Sequence, residues 1–232
     1  MHLFYAPDIL NSLCLPEEES LHCTKVLRLG LGTLIAVSDG KGTHFVMRIV
    51  EAHPKHTMVE IVEQYYETRE ETTLTHIAIA PTKNKERLEW FAEKATELGV
   101  DIITPVVCHF SERRSIAFER LEKIVIAAMK QSQRAYLPKL NPAITFTELL
   151  KESTEKQRFI AHCYEEERVL LQDIYTPDKD AIVLIGPEGD FSQEEITASF
   201  SYGFQPVSLG KNRLRTETAG IAACHIMQLK RL

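Results

Sequence analysis

Two short loops hold the residue types and spacing that could do chemistry. Gly186-Pro187-Glu188-Gly189-Asp190-Phe191-Ser192 follows the apolar run Ala181–Ile185, and Leu209-Gly210-Lys211-Asn212-Arg213-Leu214-Arg215-Thr216-Glu217-Thr218-Ala219 follows Pro206-Val207-Ser208. In the first, two glycines let the backbone approach a ligand closely, and Pro187 stiffens the turn. In the second, Arg213 and Arg215 stand beside N–H groups that a helix start leaves unpaired, a place suited to an anion or a carboxylate. Neither loop is Gly-x-x-x-x-Gly-Lys-Ser/Thr or Gly-x-Gly-x-x-Gly, so no phosphate fingerprint is present. No Gly-x-Ser-x-Gly elbow supports hydrolase chemistry. By spacing alone, each loop reads equally well as a tight βα turn.

Other candidates carry less. His53-Pro54-Lys55-His56 sets two histidines close together, but Pro54 marks a surface turn and no carboxylate or thiol spacing completes a metal site. The five cysteines, at 14, 23, 108, 163 and 224, are scattered and form no Cys-x-x-Cys. That pattern removes the main support for zinc or thioredoxin chemistry and fits a reducing compartment. Trp90 beside Phe91 reads as partly buried core rather than a base-stacking platform. Arg113-Arg114 follows an apolar run by a few residues and offers either a phosphate grip or a solvated turn.

These loops need a scaffold, and 232 residues with 44% apolar and 26% charged types can bury a core without staples. No apolar run approaches the ~20 residues that span a bilayer. Met1–Pro7 lacks a basic segment followed by a long apolar one, so a cytoplasmic location is expected. Net charge is −6 and uneven. Residues 1–71 hold 6 basic and 11 acidic side chains, whereas 83–139 hold 11 and 8, and 203–232 hold 5 and 1. Positive patches are therefore available on an acidic chain.

The first seventy or so residues read as a small β-rich unit. Thr33–Ser38 and Thr43–Val50 flank the turn Asp39-Gly40-Lys41-Gly42, and Thr57–Val62 makes a third strand. No helical crossover separates the three, so antiparallel pairing is expected. Glu17–Leu29 suits a short helix ending at Gly30, and Glu63–Thr73 is the linker candidate. From Leu74 strands and helices alternate. Strands are expected at Leu74–Ala80, Ile102–Val107, Arg158–His162, Ala181–Ile185 and Pro206–Leu209. Helices are expected from Leu88 to Gly99, from Phe118 to about Arg134, from the capping box Ser192-Gln193-Glu194-Glu195 to Gly203, and through Ala222, Ile226 and Leu229. Repeated βα units imply an α/β fold, a mostly parallel sheet covered on both faces, with ligands at the carboxyl ends of its strands.

The two loops together resemble the SPOUT methyltransferases of the ribosomal RNA small-subunit methyltransferase E group. The similarity extends to Lys83…Arg87 before Lys94-Ala95-Thr96-Glu97-Leu98-Gly99-Val100, and to Gln131-Ser132-Gln133-Arg134 with Pro138. It also takes in His22…Lys25-Val26-Leu27-Arg28 and Asp39-Gly40. Asp190 and Gln133 stand where the family usually has glycine, and Lys211-Asn212-Arg213 differs from its usual Pro-Arg-Ile.

The resemblance implies a PUA-like β-barrel over residues 1–71 that helps hold RNA. It implies a SPOUT α/β domain with a trefoil knot over 72–232, and a homodimer acting on 16S ribosomal RNA. The implied activity is S-adenosylmethionine-dependent methylation of a uridine at N3; the rival is an RNA-binding assembly factor of the same fold without catalysis. S-adenosylmethionine is expected against Ile185, Gly186, Glu188, Gly189, Leu209, Gly210, Leu214, Arg215, Thr216 and Thr218. Arg215 and Glu217 are the catalytic candidates, with Glu188 a second carboxylate to offer as base. RNA is expected on Lys83, Arg87, Arg113, Arg114, Arg134, Lys211 and Arg213. No metal is expected.

Overall fold

A computed structural model describes residues 1–68, 73–164 and 168–231. The chain divides into two compact units, Met1–Arg69 with Ile126–Leu137, and Glu70–Val125 with Pro138–Leu232.

In the first unit β1 (Leu3–Tyr5), α1 (Ile9–Ser12) and α2 (Glu17–Leu21) precede β2 (Leu34–Ser38), β3 (Thr43–Glu51) and β4 (Met58–Tyr66). The sheet order is β1-β2-β3-β4, and β2, β3 and β4 pair antiparallel as expected. Asp39 makes the turn between β2 and β3 by accepting from the backbone of Lys41 at 2.7 Å and Thr43 at 3.0 Å. Phe4, Ile35, Val37, Phe45, Met47, Ile49 and Val59 form the core. Residues 126–137 close on this unit through Ser38 Oγ to the Ala135 carbonyl, 3.1 Å, and Lys130 Nζ to Glu19 Oε1, 2.5 Å.

Two expectations change here, and one strand is new. The unread strand β1 pairs parallel with β2, because the intervening helical segment is long enough for a crossover. The helix from Glu17 passes into a π-helical turn over His22–Val26 and stops at Arg28, whose φ is 55°, before Gly30. Strand β4 runs on to Tyr66, so the linker candidate begins inside a strand. The remainder of that candidate, with the boundary at 71 and 72, falls largely on residues outside those described.

In the second unit β5 (Thr75–Ile79), α3 (Lys85–Leu98), β6 (Ile102–Val107), the start of α4 (Phe118–Gln131), β7 (Lys139–Leu140), β8 (Ile144–Thr145) and α5 (Phe146–Glu152) follow in order. Then come β9 (Gln157–Ala161), β10 (Val169–Leu170), α6 (Leu171–Ile174), β11 (Ala181–Ile185), α7 (Gln193–Ser201), β12 (Gln205–Ser208) and α8 (Thr216–Leu229). The order β10-β12-β9-β11-β5-β6-β7, with β8 also on β6, is parallel at every pairing.

Strands β5 and β11 are buried throughout, which explains the unbroken apolar run of β11; in β5 the buried Thr75 and His76 side chains are hydrogen-bonded. Ala78 and Ala80 face Phe146, Leu149, Leu150 and Ile196 on one side of the sheet. On the other, α3 and α8 approach so closely that a Cβ on Gly220 would stand 2.6 Å from the Phe91 ring and 3.0 Å from Ile79. Gly99 ends α3 with φ of 105°, and the Ser192–Glu195 capping box opens α7, both as expected. A second capping box, Thr145 with Glu148, opens the unread helix α5. Helix α4 stops at Gln131, three residues short of the expected end. β7, β8, β10 and α6 are two to four residues each, too short for periodicity to reveal.

Candidate functional site

Three loops leave the carboxyl ends of adjacent strands β9, β11 and β12, and a cleft of about 290 Å³ opens among them. Ala161 and Cys163 line it from the first loop. Ile185, Gly186, Pro187, Glu188 and Asp190 line it from the second, and Arg213, Leu214, Arg215, Thr216 and Ala219 from the third. A smaller hollow of about 70 Å³ shares Ala161, Cys163, Arg213, Leu214 and Ala219 with it and adds His162, Arg168, Ser208, Leu209, Gly210 and Asn212.

Each wall has a local cause. Thr216 Oγ1 donates to the Gly186 carbonyl at 3.0 Å, which ties the start of α8 to the end of β11. The Asp190 N–H donates to the Pro187 carbonyl at 2.9 Å, which closes the turn between them. Gly210 has φ of 136°, and a Cβ there would meet nothing within 4 Å, so its missing side chain leaves open space at the hollow. Asp190 (φ 64°) and Gln133 (φ 56°) both occupy the left-handed region. That conformation explains why glycine suits both positions in the resembled family.

Of the residues expected to hold a cofactor, Ile185, Gly186, Glu188, Leu214, Arg215 and Thr216 line the main cleft, and Leu209 and Gly210 the hollow. Gly189 and Thr218 are not among the lining residues. The Cβ direction of Gly189 faces Phe110, 3.0 Å from its Cβ, and Thr218 is exposed on α8. Arg215 is exposed at the N-cap of α8 without a side-chain capping bond.

Glu217 is buried in the first turn of α8 and does not line the cleft; Oε1 lies 3.8 Å from Arg87 Nε, and Oε2 has no hydrogen-bond partner among the described residues. Glu188 sits at the lip, accepting from the Lys83 N–H at 3.1 Å with Arg87 Nη1 3.9 Å away. The cleft's carboxylates are therefore Glu188 and Asp190, and both Asp190 oxygens already accept backbone N–H groups.

The cations expected to meet RNA are differently employed. Lys83 Nζ lies 2.8 Å from Glu112, whose hydrogen bond and charge raise the ammonium pKa. Arg113 donates to the Lys83 carbonyl from Nε at 3.3 Å and Nη2 at 3.1 Å. Arg114, Lys211 and Arg213 are exposed, and Arg134 belongs to the first unit. The sequence reading missed the loop after β9. Cys163 lines both lobes, and burial, with the Asp190 charge, raises its thiol pKa against the pull of Arg213 and Arg168. Its signal was positional, because in a parallel sheet a strand read at Arg158–His162 opens its following loop at the same end as the other two. His53 and His56 stack with centroids 3.8 Å apart, and no group of three or more metal-binding side chains occurs among the described residues.

Residues 69–228 match the RNA methyltransferase domain family. A ribosomal RNA small subunit methyltransferase E from Rickettsia conorii is 32% identical over 212 residues, covering 90% of this chain and 86% of its own. A solved probable rRNA-methyltransferase from Porphyromonas gingivalis is 41% identical with a TM-score of 0.91, covering 99% of each chain. A ribosomal RNA small subunit methyltransferase E from Neisseria gonorrhoeae, solved bound to S-adenosyl methionine, is 30% identical with a TM-score of 0.85, covering 99% of this chain and 97% of its own.

Proposed function

The chain belongs to the RNA methyltransferase domain family, and we propose that it transfers a methyl group from S-adenosylmethionine to N3 of a uridine in 16S ribosomal RNA of the small subunit. The observation that carries this reading is the cleft at the carboxyl ends of β9, β11 and β12. Its chemistry fits the donor. Ile185, Leu214, Ala161 and Ala219 give an apolar slot suited to adenine, and Gly186 and Gly210 bring bare backbone to it. When bound, S-adenosylmethionine supplies an activated methyl group for in-line displacement.

The chain's own residues do the rest. The loops hold the donor and the base in register, which removes much of the entropic barrier. A uracil must lose its weakly acidic N3 proton, and Arg215 at the cleft stabilises the resulting anion. Glu188 at the lip and buried Glu217 are the carboxylates offered for that proton. Glu188→Gln and Glu217→Gln separate them, since only loss of the base removes the acid limb of the pH–rate profile.

The finer architecture is proposed on the same footing. Residues 1–71 act as a PUA-like RNA-binding domain, which the partial wrapping of the sheet supports: Leu13 and Leu15 pair with Val59 and Thr57 at the start of β4. Residues 72–232 act as a SPOUT domain with a trefoil knot, and α8 supports this by returning from β12 to pack against β5 and β11. The protein works in the cytoplasm as a homodimer through the outer face of α8 around Ala222, Ile226 and Leu229 and through α7. Light scattering should report twice the chain mass.

The test is methyl transfer from labelled S-adenosylmethionine to unmodified 16S ribosomal RNA and to small subunits, with mass spectrometry locating the mark. N3-methyluridine is the expected product. Binding of RNA and cofactor without transfer would favour the inactive assembly factor instead.

A further inference from the structure

Asp190 presents a conflict between conformation and composition. Its φ of 64° is one that glycine adopts freely and an L side chain adopts at a cost. The turn itself needs only the Asp190 N–H, which reaches the Pro187 carbonyl at 2.9 Å. The side chain therefore serves something else. Oδ1 accepts from the Phe191 N–H at 2.8 Å, and Oδ2 accepts from the Cys163 N–H at 2.7 Å.

Phe191 is a fixed point, buried in the core with its ring 5.6 Å from that of Phe146. Cys163 is the opposite case: exposed, on the loop after β9, and part of the cleft wall. The carboxylate thus fastens an exposed part of the cleft wall to a buried one. A second tie runs the same way, from Tyr164 Oη to the Phe191 carbonyl at 3.1 Å.

We propose that Asp190 is the positioning residue that sets the width of the cofactor cleft, by clamping the loop after β9 to the loop after β11. This rests on the cleft being the S-adenosylmethionine site. Charge-assisted bonds to two backbone N–H groups outweigh the left-handed strain, and the affinity for the cofactor depends on them.

The test is calorimetry with S-adenosylmethionine on the full chain and on Asp190→Gly and Asp190→Asn. Asp190→Gly relieves the strain and deletes the clamp, so the dissociation constant should rise about tenfold or more, and the kinetic loss should sit in KM for the cofactor. Hydrogen exchange at the Cys163 amide should lose its protection in the same variant. Asp190→Asn tolerates the left-handed conformation and keeps one acceptor oxygen, so it should rescue part of the affinity; it also covers a glycine variant that fails to fold. A parent that binds S-adenosylmethionine and a glycine variant that binds equally well would overturn the clamp alone. A parent that does not bind would overturn the proposed function and this inference with it.

Discussion

The two ends of the parallel sheet are finished in opposite ways. At the amino end, side chains satisfy one another. Asp101 Oδ2 accepts from the Thr75 N–H at 2.8 Å and from Arg231 at 3.0 Å, and Gln228 reaches the Gly99 carbonyl at 2.8 Å. Beside them His76 joins Glu155 at 2.6 Å and Thr104 at 2.7 Å, while Asn141 donates to Thr104 at 2.8 Å. At the carboxyl end, glycine-bearing loops leave a cleft with arginines on its rim. One end ties its polar side chains to one another, and the other leaves Arg213 and Arg215 exposed at the rim of a cleft. Stability and activity should therefore respond to mutations at opposite ends of the same strands.

The largest effect should come from the amino end. Glu155→Ala leaves His76 with Thr104 alone, and where the imidazole is protonated breaking the buried pair costs about 3–5 kcal/mol. Urea unfolding should show that loss, while the folded variant keeps the parent's cofactor affinity. The pair also makes stability depend on pH. Burial pushes the Glu155 pKa up, but the His76 hydrogen bond, the His76 charge and the backbone N–H groups of Glu155 and Thr154 hold it below the usual carboxylate value. A depressed folded pKa gives stability that is present above the unfolded value, about 4.3. That stability disappears as pH falls through the folded value. The parent's urea midpoint should drop more steeply below that range than the midpoint of Glu155→Gln. Parallel curves would show that the pair does not govern acid stability.

Arg215→Ala probes the other end. Removing a cation from a developing anion costs about 10²–10³-fold in turnover, roughly 2.7–4 kcal/mol. Arg215 is exposed and makes no side-chain cap, so the urea midpoint should hold. Single-turnover methylation at saturating RNA reads the effect. A variant that loses RNA binding but methylates normally would move Arg215 from catalysis to docking. Gly210→Val comes next. It fills the open space at the hollow and forbids φ of 136°, so cofactor affinity should fall more than tenfold and stability by about 1–3 kcal/mol. Unchanged affinity would take the cofactor out of that hollow.

Legibility followed the same division. The carboxyl-end loops showed in the sequence because glycine, proline and paired arginines stand out locally and follow apolar strands. The amino-end network did not, because Thr75, Asp101 and Arg231, like His76 and Glu155, meet only through the strand order. Gly220 was equally silent, since its need for a bare Cα arises from Phe91 more than a hundred residues away. Asp190 and Gln133 were visible as odd residues, but only their φ angles explain the oddity. Helices α3, α7 and α8 were readable from period and caps; β1, parallel to β2, was too short to declare itself.

The smallest expected effect separates two adjacent arginines on the loop after β6. Sequence alone treats Arg113 and Arg114 as one pair. The structure commits Arg113 to the Lys83 carbonyl through two N–H groups and leaves Arg114 exposed. An arginine that braces a turn has little to give a phosphate, because contacting RNA would break its own bonds. A phosphate contact releases counterions, so each one lost flattens the dependence of log affinity on log salt by about one unit. Arg114→Ala should show that change in filter binding across a salt series. Arg113→Ala should keep the parental slope and instead loosen the Lys83 turn, raising amide exchange there. Equal flattening in both variants would mean that Arg113 releases Lys83 for the RNA backbone, so that this carboxyl-end loop trades its internal bonds for a ligand.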